Sequence, residues 1–506
     1  MRHEQLLPDL IYEYFVMHFH SRFYRYGDML PTIEQLSQGC FVSLDTVKTV
    51  LKRLRNEGYV ITQGRKGIQV AFSQSEEERN AYVERFFFQR HSTLPDLNKS
   101  APPIMVSLIT EGLCRIDDKD FAYLSSLINQ IKLGNYTQFY SAILRKLNNP
   151  LAMNLFWEII LFQGTSMLCQ ESDCQNLAPD VVRQGLREIL LAGKQRDRKR
   201  IPQLIYTSGE EVLKTFANYK RPRNLFFPRE ESQFPFVWRI YRERPQLCYD
   251  LVPWFLHEIL RGKYQDEEFL PSYKKLADSF QVSLMTIRRT VDLLHRLGMV
   301  KPINGTGVRI LPKGAPDVTA QFGESDIRRN FTLYFHAFEI LAYTCEAVTH
   351  AIFPLFSEEA EKEFISTLKQ DLKTGDCGCV ILCYLFHIYK HCPLMAIREI
   401  YGRMYALFLW GYPLKVSAKN AVEFDRRAYI FTQKIVRFLE KKDYESFADV
   451  TKNFIVDELA KTEQCLYQLG LRPDELHPTS SIRPVMAPRN NQGGEGISLP
   501  SGEKRE

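Results

Sequence analysis

The sequence predicts a mainly α-helical protein. Two copies of a small module, three helices and a β-hairpin, alternate with two all-helical stretches. Three observations support this. Residues 30–72 and 270–312 align without a gap at an offset of 240. Within each copy, apolar residues fall at helical spacing and then give way to two short strand-like runs around a glycine-bearing turn. Outside the copies, residues 81–218 and 326–470 keep the helical period and contain few strand-like runs.

The repeat is carried by identical residues at structural positions. Leu30, Pro31, Leu36, Val42, Ser43, Leu44, Thr46, Leu54, Gly58, Val60 and Gly67 face Leu270, Pro271, Leu276, Val282, Ser283, Leu284, Thr286, Leu294, Gly298, Val300 and Gly307. In copy one, Leu6, Leu10, Ile11, Tyr14, Phe15 and His18 form one face of a helix over 5–20. Gly27-Asp28 breaks it. Thr32, with Gln35 three residues on, caps a second helix that runs to about Ser37. Ser43 caps a third, with Val47, Val50, Leu51 and Leu54 buried and Gly58 as its stop. Residues 59–62 and 68–72 are the hairpin, turning at Gln63-Gly64-Arg65-Lys66-Gly67. In copy two the first helix covers about 249–260, and Ser272 and Ser283 are the caps. Ile287, Val291 and Leu294 are the buried face, and the turn is Ile303-Asn304-Gly305-Thr306-Gly307. Helix, helix, turn, helix, hairpin is a winged helix-turn-helix.

At 506 residues the chain exceeds a single core, and about three or four units are expected. The sequence divides into a winged module at 1–72, a helical domain at 81–219 and a proline-rich linker at 220–245. A second winged module follows at 246–312, a second helical domain at 326–470 and a disordered tail at 472–506. Apolar residues at 45% support packed cores. Lys plus Arg is 66 against 60 acidic residues, and a net charge of +6 leaves the choice of partner to local patches. No run reaches the ~18 apolar residues of a spanning helix, and the N-terminus has no apolar signal region, so a cytoplasmic protein is expected. The 11 cysteines, odd in number and scattered, read as free thiols.

The strings Gly-Asp-Met-Leu-Pro-Thr-Ile-Glu-Gln-Leu, Val-Ser-Leu-Asp-Thr-Val-Lys and Glu-Gly-Tyr-Val resemble the DNA-binding domain of GntR-family regulators. So do Phe-Leu-Pro-Ser-Tyr-Lys-Lys-Leu-Ala, Val-Ser-Leu-Met-Thr-Ile-Arg-Arg and Leu-Gly-Met-Val. Each resemblance covers about seventy residues. The helical stretches resemble, more weakly, the effector domain of the branch that includes fatty-acid-responsive regulators. Phe139-Tyr140 before Asn149-Pro150-Leu151, and Leu382-Cys383 before Cys392-Pro393-Leu394, hold the spacing of its landmarks. Arg196-Asp197 and Lys442-Asp443 mark a late turn in each half.

The resemblance implies DNA recognition by the third helix, in a major groove ~12 Å wide. It places Ser43, Asp45, Thr46 and Lys48 of copy one nearest the bases, and Ser283, Met285, Thr286, Arg288 and Arg289 of copy two. Arg65, Lys66 and Thr306 reach phosphate or minor groove from the wings, and Lys274 reaches the backbone. Two departures stand out. The family's Arg after the cap serine is Leu44 and Leu284 here. Copy one has Glu34 where copy two has Lys274, and Asp45 where copy two has Met285. Copy two is therefore expected to be the stronger reader, unless Asp45 accepts from a cytosine amine. The basic residues Lys194, Arg196, Arg198, Lys199, Arg200, Lys220, Arg221 and Arg223 read first as solubilising surface and second as phosphate contacts.

In metal-dependent relatives an Asp and three His enter the helical bundle. The corresponding residues here are Tyr136, Tyr140, Leu186 and Ser208, then Cys379, Cys383, Thr432 and Phe454, so neither a metal of that type nor any cofactor is expected. Cys379, Cys383, His387 and His391 share one helical face beside Cys377 and Cys392. Buried core is the stronger reading there, with zinc or a thiol switch as alternatives. Phe156, Trp157, Phe162, Tyr384, Phe386, Tyr401 and Trp410 are core by default and candidate pocket walls.

The expected function is a sequence-specific transcriptional regulator binding double-stranded operator DNA. It would act as a single-chain pseudo-dimer tuned by a small-molecule effector, with no membrane partner and with homodimerisation through the helical domains as a candidate. A winged-helix replication initiator or a protein-binding scaffold is the alternative. An enzyme is not expected. The second module fills the room a fused aminotransferase fold would need, and no phosphate-binding loop or Gly-x-Ser-x-Gly occurs.

Overall fold

A computed structural model of the protein describes residues 7–40, 43–130, 136–164, 179–217, 233–240, 247–264, 268–311, 321–417 and 421–478. The disordered tail expected from 472 starts too early: residues 473–476 form a helical turn whose Leu476 is buried and whose Glu475 binds Arg328 (2.5 Å), and the rest of the expected tail, beyond 478, lies outside the described residues. Most of the described chain is helical, and its only strands form two separate two-stranded hairpins. The mainly α architecture with winged modules is as the sequence predicts.

The first module consists of α1 (Leu7–His20), α2 (Ile33–Cys40), α3 (Leu44–Asn56), β1 (Val60–Thr62) and β2 (Ile68–Val70). Thr32 and Gln35 cap α2 reciprocally: Gln35 N donates to Thr32 Oγ1 (3.1 Å) and Thr32 N to Gln35 Oε1 (2.9 Å). The helix runs past Ser37 through Gly39 to Cys40, beyond the end the sequence predicts, because this cap and buried Leu36 outweigh one interior glycine. Val47, Val50, Leu51 and Leu54 of α3 are buried against α1. Gly58, at φ 81°, takes the left-handed turn into β1.

Helices α4 (Glu76–Phe88), α5 (Leu94–Leu113), α6 (Asp118–Gln130), α7 (Tyr136–Leu144), α8 (Pro150–Gln163), α9 (Pro179–Lys194) and α10 (Arg200–Ala217) follow. The second module repeats the first: α11 (Leu247–Leu260), α12 (Tyr273–Phe280), α13 (Leu284–Arg296), β3 (Val300–Ile303) and β4 (Gly307–Ile310). The last group is α14 (Ser325–Ile352), α15 (Glu358–Thr374), α16 (Val380–His391), α17 (Met395–Leu409), α18 (Tyr412–Ser417), α19 (Ala421–Glu440), α20 (Tyr444–Gln468) and α21 (Pro473–Leu476).

The two helical groups share local devices as well as order. Arg196 (φ 54°) and Lys442 (φ 55°) both end a helix in the left-handed region. Asp197 then accepts from the Arg200 N–H (3.0 Å), and Asp443 accepts from the Ser446 N–H (3.1 Å). The paired late turns therefore work alike: a left-handed stop, then an acidic cap. Asn149 caps α8 through the Ala152 N–H (2.9 Å), with Pro150 at the first helical position.

The helical groups pack on each other in a reciprocal pattern. Helix α5 lies along α14; α5 also meets α17, and α14 meets α8. Since α5 and α8 hold the places in the first half that α14 and α17 hold in the second, each half offers the other the same two elements, as in a two-fold dimer interface. One hydrophobic cluster runs through both groups and the second winged module. The first module keeps its own core, joined to the rest by Phe86, Leu161 and Trp157.

Polar contacts fix this register. Asp96 on α5 accepts from the Met395 and Ala396 N–H groups (2.8 Å each), so it caps α17 across the interface. Asn149 Nδ2 donates to the His336 carbonyl (2.9 Å) and to Glu339 (3.0 Å), and Arg115 donates to the Tyr343 hydroxyl (2.7 Å). Within the proline-rich connection, residues 233–240 have no regular secondary structure and bury Phe236 and Trp238. There Arg239 binds Glu13 of α1 (2.8 Å) and Glu158 of α8 (2.8 Å), clamping the first module to the helical group.

Candidate nucleic-acid interface

Each third helix begins with the same cap. Ser43 Oγ accepts from the Thr46 N–H (3.1 Å) and lies 2.9 Å from Thr46 Oγ1. Ser283 and Thr286 repeat both distances. Exposure matches position by position: in both copies the cap serine and the residues one, two, five and six further on are exposed, while the fourth and seventh are buried. This leaves the outer face of α3 and of α13 free for a groove, and the free N–H groups of each first turn suit a phosphate.

The charges on these faces differ. In copy one, Lys48 Nζ binds Asp45 Oδ1 at 3.1 Å, with both side chains well exposed. The only cation at the front of α3 is thus already matched by a carboxylate one turn away. In copy two, Met285 replaces the Asp, and Arg288 and Arg289 are exposed with no ion pair among the described residues. Lys274, exposed near the start of α12, is likewise unpaired among the described residues, whereas Glu34 occupies its place in α2. The structure therefore gives copy two the more basic face.

Leu44 and Leu284, directly after the caps, are 43% and 45% exposed, and Met285 is 53% exposed. Sequence reasoning treated the two leucines as departures from a pattern. Their exposure leaves apolar side chains at the front of each third helix, a surface of the kind that suits a thymine methyl group. The available signal was a leucine after the cap in both copies, where burial by periodicity is not expected.

The wings are held by equivalent bonds. Leu30 N donates to the Ile68 carbonyl and Leu270 N to the Val308 carbonyl, both at 2.8 Å. Val60 pairs with Val70, and Val300 with Ile310. Lys66 is exposed in a single 3₁₀ turn, Thr306 is exposed at the tip of the second wing, and the Arg65 side chain lies outside the described residues. The second recognition helix is also tied inward. Arg296 at its end binds Asp326 of α14 bidentately (2.9 and 2.8 Å), holding α13 to the long central helix of the second half. Of the basic residues near the first late turn, Arg198 binds Glu111 (2.5 Å) and Lys194 binds Asp118 (3.2 Å); 220–223 lie outside the described residues.

The positions at which metal-dependent relatives carry ligands lie inside the bundles. Tyr140, Leu186, Ser208, Cys379 and Thr432 are buried, and Phe454 stacks on Phe431 at 4.1 Å; the Tyr136 side chain lies outside the described residues. Among the described residues no three His, Cys, Asp or Glu side chains are grouped to hold a metal. In the Cys377–Cys392 cluster, His387 stacks on Phe364 (4.4 Å). Burial pushes the Cys383 thiol well above its ordinary value and Cys392 up to about 12. A reactive thiolate needs the opposite shift.

Two stretches of the chain, residues 8–70 and 256–310, match the model of the family described as bacterial regulatory proteins, gntR family. The two winged modules are therefore gntR-family DNA-binding domains, the kind that transcriptional regulators carry. Among solved structures, Escherichia coli McbR/YncC is similar at 15% identity and a TM-score of 0.22, over 43% of this chain and 100% of that one. A Streptococcus agalactiae GntR protein is similar at 14% identity and a TM-score of 0.19, over 42% and 99%. A third structure, titled as Lar controlling expression of the Listeria monocytogenes agr system and mediating virulence, gives 14%, 0.19, 44% and 99%. No curated protein matches the chain. Among the described residues, no helix is long and apolar enough to cross a membrane.

Proposed function

We propose that the chain is a cytoplasmic, sequence-specific DNA-binding transcriptional regulator whose two halves stand in for the two subunits of a dimer. The observation that supports this is the reciprocal packing of α5 and α8 on α14 and α17, the pattern of a two-fold dimer interface, within one chain that carries two unlike third helices. Ser283, Thr286, Arg288, Arg289, Met285 and Lys274 form the stronger contact surface. Ser43, Asp45, Thr46, Lys48 and the wing residues Arg65, Lys66 and Thr306 form the weaker one. Because α3 and α13 differ in charge, the operator consists of two unlike half-sites. Regulation comes from a small molecule that binds one placement of the two modules better than another. Catalysis has no part in this reading.

The test is hydroxyl-radical footprinting with the stoichiometry of the complex. One chain per operator and two protected segments of unlike sequence support the proposal. Two chains on a strictly symmetric site would overturn it.

A further inference from the structure

We propose that a cavity walled by the first helices of both winged modules binds an aromatic acid, an apolar ring system bearing one anionic group. This names the effector site that the regulatory reading requires, and it rests on that reading only for its consequence.

The cavity measures about 1190 Å³, larger than the ~300–1,000 Å³ of most small-molecule sites. It lies where α1, α4, α8, residues 233–240, α11 and α17 meet. Its apolar wall includes Tyr82, Phe86, Phe162, Phe234, Tyr249 and Trp410. Two donors in that wall lack a partner among the described residues: Arg90 Nε and Trp410 Nε1, both buried. Arg90 belongs to the first half, following α4, and Trp410 closes α17 of the second.

Arg90 is the specific feature. Its guanidinium lies over the Phe86 ring at 3.7 Å and near Phe162 and Phe234 at 5.2 and 5.4 Å. One amine donates to the Phe86 carbonyl (3.0 Å), and no carboxylate pairs with it among the described residues. Burial lowers its pKa to about 10 against the pull of nearby Tyr82 and Glu13, so it stays charged at neutral pH with no carboxylate bonded to it among the described residues. Of the other cations of the wall, Arg239 is engaged by Glu13 and Glu158 and Arg403 by Glu399 (2.9 Å), while Arg85 is exposed. Asp250, also in the wall, is exposed in the first turn of α11. A half-buried cation framed by aromatic faces suits an anionic head on a flat apolar body, while the Trp410 indole N–H, sealed from the open space, is packing for the wall. The occupant would touch α1 and α11 together and so bias the relative placement of the two winged modules.

The experiment titrates the full chain with 8-anilino-1-naphthalenesulfonate and, separately, with its uncharged counterpart N-phenyl-1-naphthylamine, reading emission. Saturable binding of the sulfonate at one site is expected. Arg90→Gln should weaken the sulfonate about tenfold or more and the neutral probe by no more than about twofold. Trp410→Phe, which keeps a ring and removes a donor sealed from the cavity, should leave sulfonate binding within about twofold. Equal loss of both probes in Arg90→Gln, or sulfonate binding indifferent to Arg90→Gln, would overturn the proposal. The readout needs no DNA. A chain that binds the sulfonate through Arg90 but selects no operator contradicts the regulatory reading alone. One that selects an operator without Arg90-dependent binding overturns this site alone.

Discussion

Replacing Arg239 with Met should detach the first winged module from its support. The substitution keeps an apolar stem and removes the guanidinium fork. Glu158, whose side chain is 3% exposed, then loses the cation that binds it bidentately (Nε to Oε1 and Nη2 to Oε2, 2.8 Å each). Breaking a buried pair from one side costs roughly 3–5 kcal/mol, because the remaining charge stays buried. Glu13 is 40% exposed, and its share is discounted to about 0–1 kcal/mol for solvent screening. The expected loss is therefore about 3–5 kcal/mol in the transition that releases α1 from α8. Urea unfolding followed by tryptophan emission is the assay, since Trp238 is fully buried beside Arg239 and donates to Asn154 (2.8 Å). Adding Glu158→Gln to the variant should recover much of the loss, so a double-mutant cycle returns a large coupling. A cost under about 1 kcal/mol, with the two substitutions additive, would refute the clamp.

Three further outcomes follow from the same geometry. Asp96→Ala removes a cap that α5 supplies to α17, and should cost about 0.5–2 kcal/mol, with faster hydrogen exchange at Met395 and Ala396. Glu339 is buried between the halves, and burial raises its pKa to about 7, so its stabilising share is present at low pH and lost as pH rises through 7. Glu339→Gln should thus become more favourable relative to the parent as pH rises from 4.5 to about 7, by up to about 3 kcal/mol, and stay level above that; a flat difference across this window would contradict this. Arg288→Ala should cost DNA binding roughly 1–3 kcal/mol, and Lys48→Ala less, because Asp45 already pairs with Lys48; a gel-shift titration at fixed salt separates the two.

The winged modules were legible in the sequence because their determinants are local. Thr32 with Gln35, then Ser43, Ser272 and Ser283, announce helix starts within four residues of the bonds they make. The buried faces of α3 and α13 follow from period alone. Asn149-Pro150 was equally local as a cap, but its amide reaches Glu339, 190 residues away, and no spacing rule predicts that. The same holds for Arg239, whose partners Glu13 and Glu158 lie 226 and 81 residues away in sequence. Trp238 lay in a segment whose prolines argued only against helix, and they said nothing of burial. In copy one the charge signs at Glu34 and Asp45 could be read from sequence. The match of Asp45 to Lys48 took rotamers to see, although the three-residue spacing allows it.

The central claim is that one chain reads one operator with two unlike helices. Its most direct test is selection of bound DNA from a random pool, using the intact chain and an Arg288→Ala, Arg289→Ala variant at one salt concentration. The account predicts a single asymmetric motif of two unlike half-sites, with the information in one half lost in the variant. A strictly palindromic motif, or a variant that selects the same sequence as the intact chain, would contradict it.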